Sequence, residues 1–214
     1  MINKEKQIID FQQWLDEKIN EIKKKDYLPK LLIHSCCAPC SSYVLEYLSS
    51  FFSITVFYYN PNIHPGQEYK KRLNAQKKLI EQLPLKNKVR LIEEQYEPGV
   101  FFTRVKDLEQ EREGKKRCLK CYFLRLEKTA EKSRALRYTY FTTTLTISPH
   151  KNARIINHFG HKIAQKYRLN YLYSDFKKKN GFKRSVFLAN QYQIYRQKYC
   201  GCIFSAKNSV KNDY

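Results

Sequence analysis

The sequence predicts a doubly wound α/β domain with a mostly parallel sheet of about five strands over residues 29–205, on three observations. Short runs of β-branched and aromatic residues alternate with longer segments of helical periodicity. The runs end in turns built from Pro, Asn, Gly or Ser. Strands that alternate with helices imply right-handed crossovers, which give a parallel sheet with helices on both faces.

The elements follow in order. Residues 1–28 are expected to form an amphipathic helix packed on the domain, with Ile8, Phe11, Leu15, Ile19 and Ile22 at three- and four-residue spacing. Proline at position 29 ends it. Leu31 to Ser35 reads as a strand, Ser41 to Ser50 as a helix, and Ser53 to Tyr59 as a buried strand running into the turn Asn60 to Gly66. A basic helix is expected over Gln67 to Leu83, a short strand over Val89 to Ile92, and a helix over Phe101 to Arg112. A further helix lies within Cys118 to Leu136, with Cys118 and Cys121 at its start. Tyr138 to Ile147 is the clearest strand, followed by the turn Ser148 to Asn152 and a helix over Ala153 to Tyr167. Asn170 to Tyr173 is the last strand, before a basic loop from Asp175 to Arg184, a helix through Gln193, and a polar tail over 206–214.

Composition narrows the function. A chain of 214 residues with 42% hydrophobic and 14% aromatic content can bury a core. No apolar run reaches the roughly 18 residues that a membrane span needs, and the N-terminus lacks a signal-peptide core, so a cytoplasmic location is expected. The net charge of +21, from 41 Lys and Arg against 20 Asp and Glu, points to a polyanionic partner. Seventeen tyrosines can supply stacking faces for unpaired bases.

The seven cysteines fall in three groups, 36/37/40, 118/121 and 200/202. Such a pattern in a reducing compartment is a metal or redox signature rather than a disulfide framework. Cys36, Cys37 and Cys40 occupy the turn after the first strand, where open α/β sheets place their chemistry. Thiols stand where a phosphate-binding loop would carry glycines. Together with Cys118 and Cys121 they make five thiols, where zinc needs four and prefers two regular Cys-x₂₋₄-Cys knuckles. Iron–sulfur clusters also take four thiolates and tolerate irregular spacing, so spacing alone leaves both metals open. Cys200-Gly-Cys202 can close a strained, readily reduced disulfide, as a relay dithiol would, or be extra metal ligands or thiols without a role.

Six ordered blocks over residues 31–205 resemble the epoxyqueuosine reductases of the QueH family. They are His34-Ser-Cys-Cys-Ala-Pro-Cys-Ser-Ser42, Tyr59-Asn-Pro-Asn-Ile-His64, Arg117-Cys-x-x-Cys-Tyr122-x-x-Arg125-Leu126, Thr144-Leu-Thr-Ile-Ser-Pro-His-Lys-Asn152, Asp175-Phe-Lys-Lys-Lys179 and Tyr199-Cys-Gly-Cys-Ile-Phe-Ser205. The resemblance implies the last step of queuosine synthesis, reduction of epoxyqueuosine to queuosine at the tRNA wobble position. It implies a fold similar to the adenine-nucleotide α-hydrolase-like (HUP-type) superfamily. It also implies a [4Fe–4S] cluster on Cys36, Cys37, Cys118 and Cys121, a redox-active pair at Cys200 and Cys202, and an adjacent mononuclear metal, expected to be iron, with Cys40 as its ligand. The partners would be tRNA bearing epoxyqueuosine and an electron donor. The competing readings are a zinc-stabilised RNA-binding module without a reaction and another iron–sulfur tRNA-modifying enzyme.

Lesser candidates surround these blocks. His34 ends the first strand beside the cysteine turn, while His64 and His150 lie in turns after other strands. His34 is either a hydrogen-bonded structural residue or a catalytic one, either His64 or His150 could donate a proton to the leaving oxygen, and Asp175 is an equal candidate for metal or proton work. Lys115, Lys116 and Arg117, with Lys177, Lys178 and Lys179, are the expected phosphate contacts, since each run adjoins a cysteine or turn motif.

Overall fold

The computed structural model describes residues 10–210, the last four through their backbone alone. Strands β1 (Lys30–His34), β2 (Ser53–Tyr58), β3 (Arg90–Glu93), β4 (Tyr140–Thr143) and β5 (Asn170–Tyr171) form one sheet in the order β3-β2-β1-β4-β5. All four pairings are parallel. The expected doubly wound α/β class is therefore the observed one.

Side-chain alternation along β1 assigns the two faces. Leu31 and Ile33 join the cluster containing Val44, Leu45 and Leu48 of α2 (Ala38–Leu48), with Leu79 of α3 (Gly66–Gln82) and Leu188 of α7 (Gly181–Gln191). Leu32 points the other way, into the cluster with Leu126 of α5 (Lys116–Ala135) and Ile156 of α6 (Ala153–Tyr167). A parallel strand covered on both faces has no polar side, which is why β1 reads Leu-Leu-Ile. Close packing also sets Gly160, since a Cβ there would lie 2.3 Å from the Tyr171 ring.

The N-terminal helix α1 (Phe11–Ile22) ends before the residue-28 limit expected for it, and residues 1–9, Ile8 among them, lie outside the described residues. Asp10 caps it by accepting from the Gln12 and Gln13 N–H groups. Leu15, Ile19 and Ile22 are buried in the α2 core. Each such side chain contributes about 1.5–3 kcal/mol, so packing outweighs the exposed ion pairs at under about 1 kcal/mol each.

Three boundaries differ from expectation. The strand from Tyr138 stops at Thr143, whose hydroxyl accepts from the Leu145 N–H and starts a 3-10 turn over Thr144–Ile147. The helix expected to Arg112 is α4 (Pro98–Arg104), and the chain then takes a left-handed conformation at Asp107 (φ 65°). A last helix, α8 (Ile203–Val210), begins directly after the third cysteine pair and includes residues expected in the tail.

Candidate metal centre

The strand order β3-β2-β1-β4-β5 reverses between β1 and β4, a switch point at whose carboxyl ends open parallel sheets leave a crevice. The three-cysteine turn leaves β1 at that point. Cys37 is the extended N-cap of α2, and Pro39 in the first turn fits where helix N–H groups have no internal partner. Cys36 reaches across to β4's end: its N–H donates to Thr144 Oγ1 at 3.2 Å, and its Sγ lies 3.3 Å from the same hydroxyl. The turn is braced from below. Asn60 Nδ2 donates to the Ser35 carbonyl at 2.8 Å, and Ser35 Oγ donates to Gln76 Oε1 at 2.7 Å.

The Sγ atoms of Cys36, Cys37 and Cys40 lie within 4.8 Å of one another, and the Cys36–Cys37 pair is 3.9 Å apart. Tetrahedral thiolates at 2.3 Å from a metal would be about 3.8 Å apart, so the three thiols lie close enough together for metal ligation. Among the described residues it is the one group of three or more His, Cys, Asp or Glu ligand atoms brought that close. Hydrogen bonds from Cys37 and Cys40 lower the Cys36 thiol well below its ordinary value. The same contact pushes Cys37 up to about 12, and Cys40 rises with it. Three adjacent thiols thus share one easily lost proton, and a bound cation would be needed to hold all three as thiolates.

The other two pairs converge on one another. Cys118 and Cys121 are buried on the first turns of α5, and the Gly114 N–H donates to Cys118 Sγ at 3.2 Å. Burial raises both thiols, Cys121 to about 12, and negative charge at Cys200 or Cys202 raises them further. Cys200 and Cys202 are both free thiols. Arg72 of α3 positions their segment: Nη1 donates to the Cys200 carbonyl at 3.1 Å and Nη2 to the Tyr199 carbonyl at 3.2 Å, while Nε pairs with Glu68 at 2.6 Å. Gly201 (φ 119°) packs so closely that a Cβ would meet Arg72 Nη1 at 2.8 Å. The His64 N–H donates to the Gly201 carbonyl at 2.8 Å.

Two cations face the thiols. Arg125 is fully buried, donates through Nε to the Cys121 carbonyl at 3.3 Å, and lies near Cys36 and Cys200 as well. Its Nη2 has no hydrogen-bond partner among the described residues. Lys151 lies in the turn before α6, where negative charge at Cys200, Tyr122, Cys36 and Cys40 outweighs the effect of burial and raises it. Neither cation has a carboxylate partner among the described ion pairs. A buried cation such as Arg125, with half-buried Lys151 beside it and no acid, needs another anion, and a thiolate-ligated metal group would supply one. The donor set and the orphaned guanidinium therefore fit a metal centre.

A sequence profile of the family described as Epoxyqueuosine reductase QueH matches residues 31–208. The chain belongs to the QueH family. Its relatives include the epoxyqueuosine reductase QueH of Streptococcus pyogenes serotype M1, 43% identical over 203 residues, covering 94% of this chain and 80% of the relative. The Staphylococcus aureus (strain Mu50) QueH is 42% identical over 204 residues, covering 94% of this chain and 85% of its own length. The Thermotoga maritima QueH is 38% identical over 179 residues, covering 82% of this chain and 89% of its own.

Several residues of this QueH chain stand elsewhere than sequence reasoning expects. His34 is fully buried. Its Nε2 donates to the Tyr59 carbonyl at 3.2 Å, so Nδ1 must accept from the Thr143 hydroxyl at 2.8 Å. Burial, with Arg125 nearby, lowers it to about 3, so it is a neutral brace across β1, β2 and β4 rather than a proton donor. Arg117 is also buried, not a phosphate contact: it donates to the Leu108, Glu109 and Glu111 carbonyls and its guanidinium stacks 4.6 Å from the Phe204 ring. Lys115 and Lys116 remain exposed. Lys177 pairs with Asp175 at 2.5 Å, Lys178 with Asp10 at 2.7 Å and Lys179 with Asp16 at 2.5 Å. His150 is exposed, and His64 packs edge-on against Phe102. Sequence reasoning assigned no role to Arg72 or Arg125, though each stands at an apolar-face position of its helix, beside Leu73 and Cys121 respectively.

Proposed function

We propose that this chain reduces epoxyqueuosine in tRNA to queuosine, as a metal-dependent oxidoreductase working at the crevice between β1 and β4. Family membership carries the reading, and the convergence of all three cysteine groups on that crevice is the observation in the molecule that supports it. Cys36, Cys37, Cys118 and Cys121 would hold a [4Fe–4S] cluster, with Cys40 free for a second metal, iron by expectation. When bound, these groups would supply single-electron transfer and a Lewis acid for the epoxide oxygen.

The chain's own residues would do the rest. Converting an epoxide to an alkene and water takes two electrons and two protons. The Cys200 and Cys202 thiols together carry two of each, and their oxidation to a disulfide closes the balance. An external electron donor must then reduce that disulfide. Arg72 would hold the dithiol segment in place through the Tyr199 and Cys200 carbonyls, without engaging either sulfur. Arg125 and Lys151 would offset negative charge in the crevice. Lys115 and Lys116, exposed beside the α5 cysteines, would meet tRNA phosphates.

The test is anaerobic incubation with epoxyqueuosine tRNA and a reductant, read by nucleoside mass spectrometry. Queuosine should form, and the protein should be brown with broad visible absorption. Colourless protein carrying one zinc and forming no queuosine would overturn the reading in favour of an RNA-binding module. For the relay, Cys200→Ser or Cys202→Ser with metal fully loaded should abolish turnover; undiminished turnover with a thiol reductant would sink it.

A further inference from the structure

A second feature of the carboxyl edge has no part in the chemistry above. Phe11 and Trp14 of α1, with Tyr173 just past β5, form an aromatic wall. Phe11 stacks on Tyr173 with ring centroids 6.1 Å apart and planes at 8°, and Trp14 meets Tyr173 edge-on at 4.7 Å. Arg154, His158 and His161 of α6 face this wall across a cavity of about 380 Å³. They stand at i, i+4 and i+7, so one helix face presents all three. His161 Nδ1 bonds the Tyr173 hydroxyl at 2.6 Å, which fixes the ring. Among the described residues no acidic side chain lines the cavity, and neither Arg154 nor His158 is paired with an acid.

We infer that this cavity is a nucleotide-binding subsite for an unpaired nucleotide of the tRNA strand flanking the one that reacts. Three observations select that occupant. An aromatic wall stacks any base, and a base is flat enough for a cavity of this size. An arginine fork with two imidazoles suits a phosphate better than a purely apolar ligand. Position is the third. Arg154 follows Lys151 by three residues, and Ser174, next to Tyr173, has its hydroxyl 2.9 Å from that of Thr146, in the same turn as the Thr144 that touches Cys36. Both walls therefore start from the sheet edge that carries the thiols. The inference rests on the proposed tRNA substrate for its choice of polymer, and not on the redox chemistry.

Trp14 is the chain's single tryptophan, so its emission reports this cavity alone. Titrating the metal-loaded protein with an anticodon stem–loop RNA should give a saturable quench. Arg154→Ala with His158→Ala, both at exposed positions, should weaken binding about tenfold and raise KM with kcat and metal content unchanged. Tyr173→Leu should do the same, and the exposed pair keeps the test decisive if that variant folds poorly. An unresponsive Trp14 at RNA concentrations that saturate turnover would overturn the subsite and leave the reductase reading standing. Quenching by adenosine monophosphate as tight as by the stem–loop would also overturn it, as would emission changes that track self-association. Saturable quenching by RNA without queuosine formation would keep the subsite and remove the reductase reading.

Discussion

The turn after β1 and the segment 199–202 both bring thiols to one crevice, and they are held there by opposite means. The first is local: Cys36 to Cys40 follow the central strand directly, and buried side chains of β1, α3 and the post-β2 turn brace the backbone around them. The second is remote. Segment 199–202 belongs to no strand: Arg72 and the His64 N–H hold its backbone carbonyls, and the Tyr199 hydroxyl donates to the His64 carbonyl at 3.2 Å. A metal site needs ligands fixed in advance, because every loose thiol weakens binding. A dithiol that cycles with a disulfide must move its sulfurs together and apart, and a grip on the backbone carbonyls does not tie up either sulfur.

That contrast is sharpest at the ligands. Cys36→Ser or Cys37→Ser should remove bound metal and lower turnover by at least about a hundredfold, read by metal analysis and nucleoside mass spectrometry. Cys200→Ser should leave the metal bound. If both variants lose metal equally, the two regions are one site and the division fails.

Arg125 comes next. Arg125→Met keeps the volume and removes the charge beside Cys36, Cys121 and Cys200. Metal affinity should fall about 10- to 100-fold in chelator competition, with Arg125→Lys in between. Unchanged affinity would mean that the guanidinium serves only the Cys121 carbonyl. Arg72→Met should act on the other region. It frees the Tyr199 and Cys200 carbonyls and unpairs Glu68, so stability to urea should drop by about 3 kcal/mol. Turnover should fall about tenfold while metal content stays, and loss of metal would show that the clamp supports the ligands instead.

The same local–remote distinction explains what could be read from the chain. The β1 turn was legible because strand, thiols and helix are contiguous, and so was the order of alternating elements. The stop at Thr143 was not, since it depends on one hydroxyl turning back to the Leu145 N–H within a run of strand-forming threonines. Arg117 looked like part of a basic run with Lys115 and Lys116. Its neighbours on α5 point to solvent while helical rotation turns it inward to the 108–111 carbonyls. His34 is a candidate because it ends the first strand beside the cysteine turn, but the parallel neighbours β2 and β4 close over it and leave it the structural role more usual for a strand-end histidine. Arg72 was hidden because its partners lie 127 and 128 residues away.

The smallest effect concerns the basic run past β5, which can be a latch for α1 or a phosphate contact. Lys178 hydrogen-bonds Asp10 and lowers its carboxyl below the ordinary value; for Asp16, Lys179, Gln12 and Tyr47 outweigh an opposing effect of burial. Depressed acids stabilise the fold above their unfolded value and lose that contribution as pH falls through the folded one. Lys178→Ala with Lys179→Ala should therefore lower Tm by about 1–3 °C at neutral pH. The difference should vanish at strongly acidic pH, and in 1 M salt, which screens exposed pairs. Against this, Lys115→Ala with Lys116→Ala should leave Tm alone and flatten the salt dependence of RNA binding by a slope of about 1.4, two phosphates on a single strand. The reverse pattern would make Lys178 and Lys179 the phosphate contacts. Packing favours the latch: with Leu15, Ile19 and Ile22 buried, α1 already lies where Asp10 and Asp16 meet the two lysines.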